Sequence, residues 1–225
     1  MSESHLSHEE LVRIEENIDF RVRRDRVFLN NPVMMQGLGL APLLIAATTG
    51  RNAFLLGVAV LLLLTPTRVL AALVCRFTHA RFRGPAYALC AGVVYIGVYW
   101  VMTKLFQSGD ISQLGLYLPL LVVDPIILKR YERVQNERAE TALRKGIITS
   151  VGYILILLLI GCLREFLGAG SIFGVQLMRA ALLPLAQLPS GGFAVLALVM
   201  ALWRSAVRVI KRTLAETEED EWETV

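Results

Sequence analysis

The sequence predicts an all-α polytopic membrane protein: six transmembrane helices forming two inverted three-helix repeats, with the first helix of each repeat broken. Three observations predict it. First, apolar residues are 55% of the 225 and mean hydropathy is +0.56, and they are massed in long uncharged runs such as 54–64 and 151–160. A soluble domain spreads its apolar residues at period 2 or 3.6, whereas massed runs read as spanning helices. Second, the charged 19% is confined to the connections between these runs. Third, Gly and Pro interrupt two runs at corresponding places in the two halves. Together these exclude a soluble enzyme, a disulfide-rich secreted module and a disordered tail protein.

Residues 1–30 read as a cytoplasmic amphipathic N-terminal segment. Ser7 and Glu10 make a capping box, with Leu6 and Leu11 as its hydrophobic staple. On a helix over 7–28, Leu11, Ile14, Ile18 and Val22 share one face, and Arg21, Arg23, Arg24 and Arg26 form a basic end. Such a face suits an anionic membrane surface or a partner protein. No short apolar core precedes a small-residue cleavage site, so the first span is expected to act as the membrane signal. The spans fall at 32–49, 53–74, 85–106, 113–128, 145–163 and 191–210. The first repeat is 31–110 and the second 111–212, leaving 213–225 as an acidic cytoplasmic tail. That tail holds six carboxylates and Trp222 between positions 216 and 223, and reads as solvated and mobile.

Charge sets the orientation. With the N-terminus cytoplasmic, only Arg51, Lys104, Arg164 and Arg179 of the 23 Lys and Arg residues fall outside. This is a strong positive-inside bias, predicting both termini in the cytoplasm. It also accounts for the net charge of +4 and the pI near 9.1 without a nucleic-acid partner. Cys75, Cys90 and Cys162 lie in or beside apolar runs, where a free Cys behaves as a small hydrophobe. His5, His8 and His79 lie outside the spans with no ligand spacing.

The interruptions point to the functional centre. Gly37-Leu38-Gly39-Leu40-Ala41-Pro42 opens the first half, and Leu118-Pro119-Leu120-Leu121-Val122-Val123-Asp124-Pro125 stands at the matching place in the second. Three spans per half force the second half to enter from the opposite membrane face, giving an inverted repeat. Broken helices free backbone groups that survive only when buried in protein or lining a cavity. Gly37, Gly39, Pro42, Asp124 and Pro125 are therefore the broken-helix and candidate ion-path residues. Asp124 is the one acid inside a span. It reads either as a proton or sodium site, or as a residue that caps the half-helix or pairs with Lys129 or Arg130 by snorkelling. Arg164 and Glu165, at the end of the fifth span, read as interfacial anchors. No catalytic constellation is present, so no catalytic residue is expected.

The motifs resemble a known family. Asn31-Pro32-Val33-Met34-Met35-Gln36 followed by Gly37-Leu38-Gly39-Leu40-Ala41-Pro42 resembles the NPVLVQGLGLCP opening of Rnf/Nqr membrane subunits. The segment 118–125 resembles their (I/L)PLIVVNC, 164–174 resembles VREILGNGTLFG, and 188–193 resembles LPPGAF. With both termini inside, the resemblance is to the E-type subunit of Rnf and the D-type of Nqr. It implies a six-span subunit of an ion-translocating redox complex in the bacterial inner membrane, lying among membrane lipids beside an oppositely oriented A-type homologue. It also implies a [2Fe–2S] cluster held between the two subunits by one Cys from each break. Here those positions are Ala41 and Pro125, so no cofactor or metal is expected on this chain. The expected function is a non-catalytic membrane subunit that does not itself ligate the cluster. A small-solute or ion transporter, or a scaffold subunit, on the same repeat is the alternative.

Overall fold

A computed structural model describes residues 17–18, 22, 25–128 and 138–223. Four of its helices are long and apolar enough to cross a membrane: Gly50–Cys75 (α2), Arg83–Leu105 (α3), Ala139–Ala169 (α6) and Pro189–Glu223 (α7), the last counted as a span through Thr217. They coincide with the predicted spans 53–74, 85–106, 145–163 and 191–210. The 26 residues of α2 reach about 39 Å at 1.5 Å per residue, enough for a hydrocarbon core of about 30 Å. Thr49 starts α2 by accepting the Asn52 N–H at 3.2 Å, which satisfies one of the unpaired donors at a helix N-terminus.

The predicted spans 32–49 and 113–128 are not continuous helices. The first is a five-residue helix, Pro32–Gln36 (α1), followed by a π-helical turn, Pro42–Ala46. The second is a chain of short pieces: Ser108–Leu114 (α4), Tyr117–Leu120 (α5) and a 3-10 turn, Leu121–Val123. Left-handed backbone at Gly37 and Gly39, with φ of 70° and 69°, ends α1 and swings the chain into the π turn. In the second segment Gly115, also at positive φ, separates α4 from α5.

The centre of the molecule is the crossing of α2 and α6. Gly161 lies against Ala53, Ile154 against Gly57, and Gly146 against Thr65, so one chain rises as the other falls. The helices are antiparallel, and a Cβ at Gly161 would come within 2.9 Å of the Thr49 carbonyl oxygen. Around this pair a single apolar core gathers Leu56, Leu63, Tyr153 and Ile156 with Val33, Met34 and Leu43 of the first broken segment. Leu118, Leu121 and Ile127 of the second join the same core. Helices α3 and α7 flank it. On α3, Leu89, Val93, Ile96 and Trp100 are exposed at helical spacing, an apolar stripe turned away from the core.

Three details differ from the sequence reading. The chain is not purely helical, because Ser171–Ile172 (β1) pairs antiparallel with Val175–Gln176 (β2). The tail does not leave the helix: α7 runs unbroken across position 212 to Glu223, since that stretch contains no Gly or Pro and is rich in Glu. Ile18 and Val22 pack against Leu29 and against Ala215 of α7, so that part of the N-terminal apolar face is covered by the chain itself. The capping box, Leu11, Ile14, Arg21, Arg23, Arg24, His5 and His8 lie outside the described residues. His79 is exposed.

Candidate functional site at the broken segments

The first break is held from five sides. Asn31, fully buried, caps α1: its Oδ1 accepts the N–H groups of Val33 and Met34 at 2.9 and 3.4 Å. Its Nδ2 donates to the carbonyls of Val27 and Gly152 at 2.9 and 3.0 Å. At the other end of α1, Arg204 of α7 donates through Nε to the Met34 carbonyl at 2.9 Å and through Nη2 to Met35 at 3.3 Å. Next to it Trp203 donates to the Phe28 carbonyl at 3.1 Å, and its ring stacks on Phe28. Tyr153 of α6 donates its hydroxyl to the Gly39 carbonyl at 2.8 Å. Gly39 has no room for a side chain, because a Cβ would lie 2.7 Å from the Tyr153 ring.

Arg164 supplies the fifth hold, and it is not an interfacial anchor. It is fully buried, at 0% exposure. Its Nη1 donates to the carbonyls of Leu43, Leu44 and Ala47 at 3.1, 2.7 and 3.2 Å. Nε reaches Ala186 at 2.9 Å, and Nη2 reaches Gln187 and Leu188 at 3.1 and 3.4 Å. Glu165 turns the other way: Oε2 accepts the Gly50 N–H at 2.7 Å, and Oε1 accepts the Ser171 hydroxyl at 3.0 Å and the Gly174 N–H at 2.7 Å. The cation thus meets the carbonyl end of the π turn, and the anion meets the N–H end of α2. Both are the favourable match to the backbone dipole. Two adjacent charges on α6 therefore fasten the two helix ends on either side of residues 47–49. The charge pair was visible in the sequence, but its burial was not.

The second break, among the described residues, is capped by its own side chain. Asp124 is buried; its Oδ1 accepts the Ile126 N–H at 2.9 Å, and its carbonyl accepts the N–H groups of Ile127 and Leu128 at 3.0 Å. The carboxylate caps its own turn, while Lys129 and Arg130 lie outside the described residues. Arg51 of α2 pairs with Asp110 of α4 at 2.7 Å, with Arg51 62% exposed. Leu116, Leu120 and Val123 face outward.

Of the residues singled out in the sequence, Gly37 closes α1, Gly39 meets Tyr153, Pro42 opens the π turn, and Asp124 and Pro125 begin the turn after the 3-10 segment. Ala41 is exposed on the first break and Pro125 is half-buried on the second. A methyl group and a pyrrolidine ring offer no lone pair to iron, so these positions do not fit an iron–sulfur cluster. The three cysteines lie on α2, α3 and α6, none of them within either broken segment. Asn31, Tyr153, Arg204 and Trp203 are the residues that sequence reasoning missed. Their hydrogen-bond partners are backbone carbonyls and N–H groups, which carry no sequence signal.

Comparison with known proteins completes the picture. A family model described as "Rnf-Nqr subunit, membrane protein" matches residues 20–200. The chain is 32% identical over 205 residues to the E-type subunit of the ion-translocating oxidoreductase complex of Shewanella oneidensis, covering 84% of this chain and 88% of that one. It is 31% identical over 175 residues to the E-type subunit of the proton-translocating ferredoxin:NAD(+) oxidoreductase complex of Clostridium ljungdahlii, covering 76% and 82%. A match this long, on a chain built of membrane-length helices, settles membership: the chain belongs to the Rnf-Nqr family, as an integral membrane subunit of an ion-translocating electron transport complex.

Proposed function

We propose that this chain is a cluster-free member of its complex: a six-span inverted repeat in a bacterial inner membrane, both termini cytoplasmic, seated beside an oppositely oriented A-type homologue. One observation carries the reading. The two positions where the family resemblance implies thiolate ligands hold Ala41 and Pro125. The antiparallel crossing of α2 and α6, each following a broken segment, supports the repeat. The positive-inside charge bias supports the orientation. The role that remains is to hold the first break rigid, through Asn31, Tyr153, Arg164 and Arg204, beside whatever redox centre its partners carry. No electron-transfer step is assigned to its own side chains.

A tagged chain purified in gentle detergent tests this, with iron content and visible spectrum read on the same sample. Redox subunits should co-purify, and iron per complex should be unchanged when Cys75, Cys90 and Cys162 are replaced by Ser. A drop in iron in that triple variant overturns the cluster-free reading. An iron-free homo-oligomer overturns the electron-transport role and favours the second reading, an ion or small-solute carrier. That reading draws on Asp124, a buried carboxylate at a break. Its mark is sodium- or proton-dependent binding that disappears in Asp124→Asn.

A further inference from the structure

We propose that residues 171–188, the connection between α6 and α7, form an arm lying flat in the lipid headgroup–acyl boundary, at the opposite end of α7 from Glu223. One side of this connection is tied down by its backbone. Leu177 and Met178 donate their N–H groups to the Gly170 carbonyl at 2.9 Å, and Leu183 donates to Leu167 at 2.7 Å. Arg164 takes the carbonyls of Ala186, Gln187 and Leu188, and Ala186 is fully buried. The other side presents side chains. Val175, Leu177, Leu185 and Leu188 are each more than half exposed, and so is Phe173, one edge of whose ring lies against Gly50 of α2.

A connection that faced water would be polar. This one contains no Asp or Glu and a single cation, Arg179, which is exposed. It starts where α6 ends and finishes where α7 begins, so both of its ends lie at the same membrane boundary. Its apolar side is continuous in sequence with the exposed apolar residues of α7, beginning at Phe193 and continuing to Leu198. An apolar face of large residues with one basic side chain matches a surface of acyl chains topped by phosphates. The occupant is thus the lipid bilayer itself, with Arg179 placed for a headgroup phosphate. The arm would lie there whether or not the complex holds iron.

Site-directed nitroxide labelling in the full chain tests it. In a background with the three cysteines replaced by Ala, single labels go at Phe173→Cys, Leu177→Cys and Leu185→Cys. Leu198→Cys serves as the lipid reference and Glu216→Cys as the water reference. The chain is reconstituted in phosphatidylethanolamine–phosphatidylglycerol vesicles, alone and within its complex. All three labels should collide with oxygen several-fold more readily than with a water-soluble nickel chelate, as at Leu198→Cys. A pattern like that of Glu216→Cys overturns the proposal. So does poor collision with both reagents, which would mean that protein covers the arm. Should the cysteine-free chain fail to insert, the unaltered chain is photolabelled with a diazirine phospholipid and mapped by mass spectrometry. Adducts within 171–188 are expected, and their absence overturns the proposal.

Discussion

Replacing Arg164 by Met removes the cation from a buried cage of carbonyls while keeping an unbranched apolar side chain. Six carbonyls lie between 2.7 and 3.4 Å from its three nitrogens. A guanidinium has five N–H groups, so at least one is shared and the two longest contacts count for little. Four well-made bonds remain, to Leu43, Leu44, Ala186 and Gln187. Unpairing a buried carbonyl costs about 1 kcal/mol at the low end of the usual range, giving about 4 kcal/mol for the four. Breaking a buried charged network from one side costs about 3–5 kcal/mol, which agrees. At about 2–4 °C per kcal/mol for a chain of this size, the Met variant should lose folded, monodisperse protein about 10 °C lower than the unaltered chain. The readout is heating in detergent followed by size-exclusion chromatography, an operational temperature because membrane chains rarely refold. Arg164→Lys keeps the charge but has three donors and no planar fork, so it should recover about half of that loss. A Met variant within about 2 °C of the unaltered chain would refute the account, as would Lys and Met variants that melt alike.

The other holds on the breaks have their own signatures. Tyr153→Phe should cost about 1–2 kcal/mol through the orphaned Gly39 carbonyl. Gly39→Ala, placed at positive φ against the Tyr153 ring, should leave little folded chain, and both are read in the same melting assay. Asn31→Ala should cost at least about 2 kcal/mol, since a helix cap alone is worth about 1 and the side-chain amide also bridges to Gly152. A variant as stable as the parent would mean that Asn31 does not hold the break. Asp124→Asn keeps an acceptor for the Ile126 N–H and should melt within about 2 °C of the parent. Any loss of ion-dependent turnover in the reconstituted complex would then come from the lost charge and not from unfolding.

The four long helices were legible because their information is local. A run of apolar residues long enough to cross hydrocarbon needs no partner to declare itself. The break at Gly37 and Gly39 was legible for a related reason, since residues without a Cβ tolerate the left-handed backbone that ends α1. The continuation of α7 through the acidic tail was also local, but helix propensity there outweighed the charge that suggested a loose end.

What the sequence by itself determined, then, was a mostly helical membrane chain with its four long apolar helices, the family, and the residues Ala41 and Pro125 at the two breaks. Only the tertiary structure decided what keeps the broken segments in place. Arg164 in sequence is a charge at the end of a span, and the economical reading puts it at the interface. In the fold it lies at zero exposure, because the carbonyl end of the π turn and the turn at 186–188 converge on it from more than twenty and a hundred residues away. Those partners are backbone atoms common to every residue. Their positions follow from how α6 crosses α2, and no side-chain pattern along the chain records that crossing.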